Sequence, residues 1–215
     1  MAGVLLILVG PAGAGKTTLA RRLIDSRPDQ RGFSVSHTTR PIRSGETHGK
    51  DYFFVTSDAF LELRERGGFA ESACVHDNYY GTSRAEIAKL TTIGRDVIFD
   101  IDIEGAHNLW RQYPDSARLV FVLPPSWTAL VQRLRDRGSE TEETLRRRLR
   151  TARRELSAVL ASSAPWHVVR NDDIAAAAAQ LEALLDGRNQ LEPADSNPAL
   201  QSLVRGANSD PLAAD

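Results

Sequence analysis

Eight consecutive residues, Gly10-Pro11-Ala12-Gly13-Ala14-Gly15-Lys16-Thr17, follow the pattern G-x-x-x-x-G-K-[ST], directly after an apolar run and directly before a stretch of helical character. The chemistry of that pattern is the cradling of nucleotide phosphates. Its glycines let backbone N–H groups turn inward around a β-phosphate, and the amino end of the following helix adds its positive dipole. Lys16 then reaches the β- and γ-phosphates, and the Thr17 hydroxyl serves as a magnesium ligand. A tight strand-to-helix turn carrying an exposed lysine would not need agreement over eight positions, so an ATP- or GTP-dependent protein is expected. Two carboxylates fit the same chemistry. Asp100 closes the apolar run Val97-Ile98-Phe99 and would stand at the carboxyl end of a strand, where open α/β sheets bind ligands. Asp102 lies two residues on and therefore faces the same side, with one acid near magnesium and the other farther along the crevice.

These groups need elements to hold them. Residues 4–9 are continuously apolar and too few for a useful helix, which reads as a strand buried on both faces, the kind found in parallel sheets. A helix is expected over 16–24, strands over 33–37 and 52–55, a helix capped by Ser57, and a short strand over 69–75. A capping box at Ser83-Arg84-Ala85-Glu86 opens a further helix that stops near Gly94. Then come a strand over 96–101, a helix over 106–113, a strand over 119–123 and a helix reaching residue 137. The apolar positions Leu145, Leu149, Ala152, Leu156, Val159 and Leu160 share one face of a long helix with an arginine-rich outer side, for which Ser139 and Glu142 offer a capping box. A strand over 166–169 and a helix over 174–185 complete an alternating β/α order. Residues 188–215 show no apolar period and carry three prolines, so a disordered tail is expected there.

Composition excludes several classes. With 27 basic and 28 acidic residues in 215, and 41% hydrophobic content, the chain has the make-up of an ordinary soluble domain rather than of a disordered or collagen-like one. One cysteine, Cys74, permits neither an internal disulfide nor paired zinc thiolates, which favours a reducing, cytoplasmic setting. The longest apolar run falls far short of a membrane span. All the basic residues except Lys16, Lys50 and Lys89 are arginine, whose planar fork pairs with phosphate, yet a net charge of −1 without interleaved aromatics gives little support to nucleic-acid binding.

The middle of the chain resembles the guanylate kinase family. The resemblance rests on residues 33–46 (FSVSHTTRPIRSGE) and 49–55 (GKDYFFV), and on Phe69-Ala70-Glu71, Asn78-Tyr79-Tyr80-Gly81-Thr82-Ser83, Asp100-Ile101-Asp102-Ile103-Glu104-Gly105-Ala106 and Leu123-Pro124-Pro125-Ser126. It continues through residues 137–143 and Asn171-Asp172-Asp173, and covers about residues 3–187. It implies an α/β fold: a phosphate-loop kinase core with a parallel sheet flanked by helices (1–32 and 94–187), a small mixed α/β acceptor-binding insertion (about 33–93) and a helical lid (about 134–155). It also implies transfer of a phosphoryl group from ATP to GMP, and to dGMP, with Mg2+, within purine nucleotide metabolism.

The residue roles implied are specific. Pro11, Ala12, Gly13, Ala14, Gly15, Lys16, Thr17 and Thr18 would hold ATP, with Asn171 and Asp172 on its adenine side. Thr17 and, through water, Asp100 would hold magnesium. Arg40 and Arg43 with the hydroxyls of Tyr52 and Tyr80 suit the dianionic acceptor phosphate. Guanine offers two adjacent donors, N1–H and N2–H, which one carboxylate accepts together, and one acceptor, O6, which needs a hydroxyl. The family assigns this reading to the positions of Glu71, Ser36 and Thr82, with Asp102 also approaching the base. Such a site should reject adenine by about 10⁴-fold, because a wrong base leaves buried polar groups unpaired. Arg133, Arg137 and Arg148 would converge with Lys16 and Arg43 on the transferring group, whereas Arg135, Arg146, Arg147, Arg150, Arg153 and Arg154 read as a solvated helix face.

Four positions depart from the family pattern: Ala12, Ser72 beside Glu71, Asp77 at a turn that usually holds glycine, and Arg170 before Asn171. Two other readings compete. A family-like module that binds a protein partner in the cleft would have lost its phosphate loop, which is complete here. A kinase of another phosphorylated acceptor would have no use for Glu71, Ser36 and Thr82 together.

Overall fold

The computed structural model describes residues 3–75, 77–136, 141–189 and 191–214. Its strands are β1 (Leu5–Val9), β2 (Arg31–Phe33), β3 (His37–Thr38), β4 (Phe53–Phe54), β5 (Phe69–Val75), β6 (Asn78–Ser83), β7 (Asp96–Asp100), β8 (Ala117–Leu123), β9 (His167–Arg170) and β10 (Glu192–Pro193). Its helices are α1 (Lys16–Ser26), α2 (Ser57–Glu65), α3 (Arg84–Thr91), α4 (Ile103–Gln112), α5 (Trp127–Arg135), α6 (Glu142–Leu160), α7 (Ile174–Leu185) and α8 (Pro198–Asn208), followed by a 3-10 turn, Pro211–Ala213.

The main sheet runs β10-β9-β8-β1-β7-β2. Every pairing from β9 to β2 is parallel, and β10 is antiparallel at the edge. Alternation explains the unbroken apolar run at its centre. Leu5, Ile7 and Val9 point into one layer, with Phe99, Phe121 and the inner faces of α4, α5 and α6; Leu6 and Leu8 point into the other, with Leu19, Leu23 and Leu181 of α1 and α7. A second sheet, β4-β3-β6-β5, is mixed, with β3/β4 parallel and the other pairs antiparallel.

Several expectations are corrected. The single strand expected over 33–37 is two: β2 ends at Phe33 in the main sheet and β3 begins at His37 in the second, so the intervening residues carry the chain between sheets. β6 gave no strand signal because tyrosines and a glycine alternate there without an apolar period; it forms as the return arm of a hairpin with β5, whose turn residue Asp77 sits at φ 64°. That is the left-handed region which aspartate tolerates better than most side chains. Thr56, not Ser57, caps α2, accepting from Ala59 N–H at 3.3 Å. Thr141 caps α6, accepting from Thr144 N–H at 3.2 Å; the expected partner Ser139 lies outside the described residues. α4 begins at Ile103, three residues early, because Asp102 caps it.

The largest correction concerns the tail. Residues 191–214 form β10, α8 and the 3-10 turn rather than disorder. Asn197 caps α8 by accepting from Leu200 N–H at 2.9 Å, with Pro198 at its first position, a strong start signal. Leu200, Leu203, Val204 and Ala207 then fall at helical spacing and pack on α6 and α5. Arg153 Nη1 donates to Ala213 O at 3.0 Å and Trp127 Nε1 to Asp210 Oδ2 at 2.7 Å. The apolar face is short, and only the partly nonpolar outer sides of α5 and α6 make it a core. Among the described residues, no helix is long and apolar enough to cross a membrane.

Candidate active site

The loop between β1 and α1 turns through Gly10 (φ 146°), Gly13 (φ 92°) and Gly15 (φ 94°), backbone conformations that a side chain would strain. Gly10 has no room for one either, since a Cβ there would lie 2.5 Å from Val122 O. Lys16 Nζ folds back to donate to Gly10 O at 2.6 Å and stands 3.7 Å from Asp100 Oδ1. Thr17 Oγ1 donates to Asp100 Oδ2 at 2.8 Å. The two sequence signals, loop and strand-end acid, therefore meet. A hydroxyl and a carboxylate side by side, both hard oxygen donors, fit a hard divalent cation such as magnesium, which Thr17 would hold directly and Asp100 through water.

Asn171 braces the loop from behind. Its Nδ2 donates to Ala14 O at 2.8 Å, and its backbone N–H to Leu123 O at 2.8 Å, tying the end of β8 to the loop. Arg133 of α5 donates to Gly13 O at 3.3 Å. Gly13, Gly15, Thr18, Arg133, Asn171 and Asp172 surround a cleft of about 650 Å³ on this side. The departure Arg170 forms a solvent-exposed ion pair with Asp172, across Asn171. Pro11 and Ala14 are buried within the loop, and Ala14 N–H donates to Pro11 O at 3.0 Å.

A second cleft, of about 500 Å³, opens on the other side of Lys16. β7 contributes Asp100 to it, the N-cap of α4 contributes Asp102, the second sheet and its loops contribute Ser36, Arg40, Arg43, Tyr52, Glu71 and Tyr80, and α6 contributes Arg148. Thus residues as far apart in the sequence as Ser36 and Arg148 line one space that also touches Gly10, Ala12 and Lys16. Thr82 is fully buried behind this wall rather than on it. Arg137 lies outside the described residues.

Three features went unseen in the sequence. Glu46 holds Arg40 through two hydrogen bonds, Nη2 to Oε1 at 2.7 Å and Nη1 to Oε2 at 3.0 Å, and also accepts from Arg43 N–H at 2.8 Å. That pairing holds the Glu46 carboxyl below its ordinary range. The Arg40 guanidinium lies 5.4 Å from the Tyr52 ring centre, so it is held in place from two directions before any anion arrives. Arg147, read as part of a solvated face, stands at the cleft rim. Glu155, one turn beyond Ala152 on α6, lines the cleft, and burial raises its pKa, with Lys16 opposing and Asp102 and Asp100 adding to the rise. Glu155 follows Arg148 by seven residues and so shares its side of the helix, a signal that points to the cleft only once the facing of Arg148 is known.

Glu71 on β5 is 8% exposed. Burial pushes its carboxyl up to about 7, only partly offset by the donor groups of neighbouring Thr82 and reinforced by the Asp102 charge. Asp102 meanwhile accepts from Gly105 N–H at 2.7 Å as the α4 cap. Ser72, the departure beside Glu71, is the next residue of β5, and alternation directs its side chain to the other face of that strand.

The guanylate kinase family model matches residues 3–188. The guanylate kinase of Nitratidesulfovibrio vulgaris is 47% identical over 206 residues, covering 96% of this chain and 97% of that protein. The guanylate kinase of Anaeromyxobacter dehalogenans is 46% identical over 183 residues, 85% of this chain and 80% of that one. The crystal structure of guanylate kinase from Anaplasma phagocytophilum superposes with a TM-score of 0.68 at 28% identity, covering 100% of this chain and 97% of that chain.

Proposed function

Because the chain belongs to the guanylate kinase family and so phosphorylates GMP with ATP, we propose how its residues divide that work. Pro11 to Thr18 hold the ATP phosphates, and Asn171 and Asp172 border the adenine. Arg40, Arg43, Tyr52 and Tyr80 hold the GMP phosphate, while Ser36, Glu71 and Asp102 read the guanine, with Thr82, buried behind that wall, backing Glu71. The observation that carries this division is the single cleft that places Lys16 and Asp100 beside Arg40, Arg43 and Glu71.

Transfer breaks the bond between the γ-phosphorus and the oxygen bridging to the β-phosphate, and forms one to a phosphate oxygen of GMP. The bridging electrons stay with ADP. At neutral pH the attacking oxygen carries no proton, so no general base is needed. Positioning and charge neutralisation supply the acceleration. Lys16 leaves Gly10 O to follow the charge of the γ-phosphoryl group, joined by Arg43, Arg133 and Arg148; Arg137, outside the described residues, is assigned the same role by the family resemblance. Thr17 and, through water, Asp100 would hold Mg2+, which when bound neutralises β- and γ-oxygen charge. The same pocket accepts dGMP, since the base and phosphate contacts ignore the 2′-hydroxyl. The reaction belongs to purine nucleotide metabolism in the cytoplasm.

The test is an ADP-release assay with ATP and magnesium, offering GMP, dGMP, AMP, UMP and CMP in parallel. Turnover confined to GMP and dGMP is expected. Comparable turnover of AMP would refute the assigned reading of the base.

A further inference from the structure

Gly105 stands at the third position of α4, inside the first turn, where glycine is a poor choice. Alanine holds a helix better than glycine, and Gly105 does not have a positive φ that would require it. What excludes a side chain is a neighbour across the cleft wall. A Cβ on Gly105 would lie 2.8 Å from Glu71 Oε2 and 3.1 Å from Glu71 Cδ, with Asp102 Oδ1 at 3.2 Å. The helix cannot retreat to make room, because its far end is fastened to the same strand: Gln112 Nε2 donates to Ala70 O at 2.6 Å, one residue from Glu71. Its near end is fixed by the Asp102 cap. The only mobile party is the carboxylate.

We propose that Gly105 is a specificity-determining positioning residue, whose bare backbone forms the floor on which the Glu71 carboxylate rests at the height needed to accept both guanine donors. This rests on the reading of Glu71 as the guanine acceptor given above. A methyl group at position 105 lifts or turns the carboxylate while leaving the phosphate loop, Arg40 and the magnesium side untouched. The helix thereby keeps a weaker first turn for the sake of base selection.

The experiment compares Gly105→Ala, Glu71→Gln and the double variant with the parent. It reads KM and kcat for GMP and for IMP, which lacks the 2-amino donor, together with KM for ATP and the Tm. For Gly105→Ala the expected result is a Tm equal to or above the parent's, an unchanged KM for ATP and a KM for GMP raised at least tenfold. The GMP-to-IMP preference should collapse toward that of Glu71→Gln, and adding Gly105→Ala to Glu71→Gln should change that preference less than twofold. If Glu71→Gln loses the preference and Gly105→Ala keeps it, the inference about Gly105 is overturned and the reading of Glu71 stands. If Glu71→Gln itself keeps the preference, that reading is overturned. A lowered Tm with equal losses toward ATP and GMP would show Gly105 to be structural only, and would also overturn the proposal.

Discussion

Glu71 ties base recognition to pH and to stability in one measurable way. Its carboxyl is held at about 7 rather than 4.5, chiefly by burial. In the free enzyme it is therefore about nine-tenths protonated at pH 6 and about nine-tenths ionised at pH 8. Only the ionised form accepts both guanine donors. The kcat/KM for GMP should thus fall about tenfold between pH 8 and pH 6 through this group, whereas kcat, which reports the complex, should fall less. GMP has its own phosphate ionisation in this range, so the quantity to plot is the parent divided by Glu71→Gln, in which the nucleotide cancels.

Stability should move the opposite way. The unfolded chain releases the Glu71 proton above about 4.5 and the folded chain holds it to about 7, so the folded state binds more protons in that window and loses stability as pH rises. Below 4.5 the group costs nothing, and above 7 the cost is complete, on the order of 3 kcal/mol. Urea unfolding at pH 5 and pH 8 should show Glu71→Gln gaining on the parent at the higher pH by up to that amount. A ratio flat in pH, together with an equal stability difference at both pH values, would refute the claim that burial controls this carboxyl.

Three further outcomes are expected. Lys16→Ala should reduce kcat by about 10²–10³-fold or more with the Tm little changed, since the hydrogen bond and ion pair of Lys16 among the described residues go to Gly10 O and Asp100 at the rim of the loop; steady-state kinetics and differential scanning fluorimetry check both. Asn171→Ala should cost about 1–3 kcal/mol in urea unfolding, because it strands the buried Ala14 carbonyl, and should raise KM for ATP more than KM for GMP. Leu200→Ala, at a fully buried site in α8, should cost about 2–5 kcal/mol; no loss of stability would mean that the C-terminal segment does not share the core.

What could be read from the sequence follows from whether the signal was local. The phosphate loop is contiguous, and its glycines, lysine and threonine have fixed jobs, so spacing alone located it. The buried strand over 4–9 was legible because both sheet faces are covered, which removes the usual alternation. The β6 strand and the C-terminal helix were not, for opposite reasons. β6 is polar and aromatic and exists because β5 and β3 offer it hydrogen bonds on both sides. In α8 the cap is Asn197 with Pro198 at the first helical position, so one of the three prolines is itself a start signal, and Leu200, Leu203 and Ala207 are too few to stand out as a period. At the site, residue types gave the candidates while Glu46, Arg147 and Glu155 stayed hidden, because their relevance depends on which loop or helix face turns toward the cleft.

The arrangement of α6 shows how the two halves of the cleft are made mutually dependent. Its inner stripe of Leu145, Leu149, Leu156 and Val159 anchors it to the main core, its next face carries Arg148 and Glu155 into the cleft, and its outer side is clasped by α8 and the 3-10 turn. Rotation that moved Arg148 relative to Lys16 would have to shear the contacts of Leu200, Leu203 and Ala207 or carry them along. Since β10 joins that clasp to β9 and Asn171 follows β9 directly, the strap over α6 and the brace of the phosphate loop stand on one edge of the sheet. Removal of residues 191–214 should therefore do more than lower stability. It frees α6 from the edge that also fixes Asn171, so the truncated chain should show a raised KM for ATP at a temperature where it remains folded. An unchanged KM for ATP in a folded truncation would mean that α6 takes its position from the inner stripe alone.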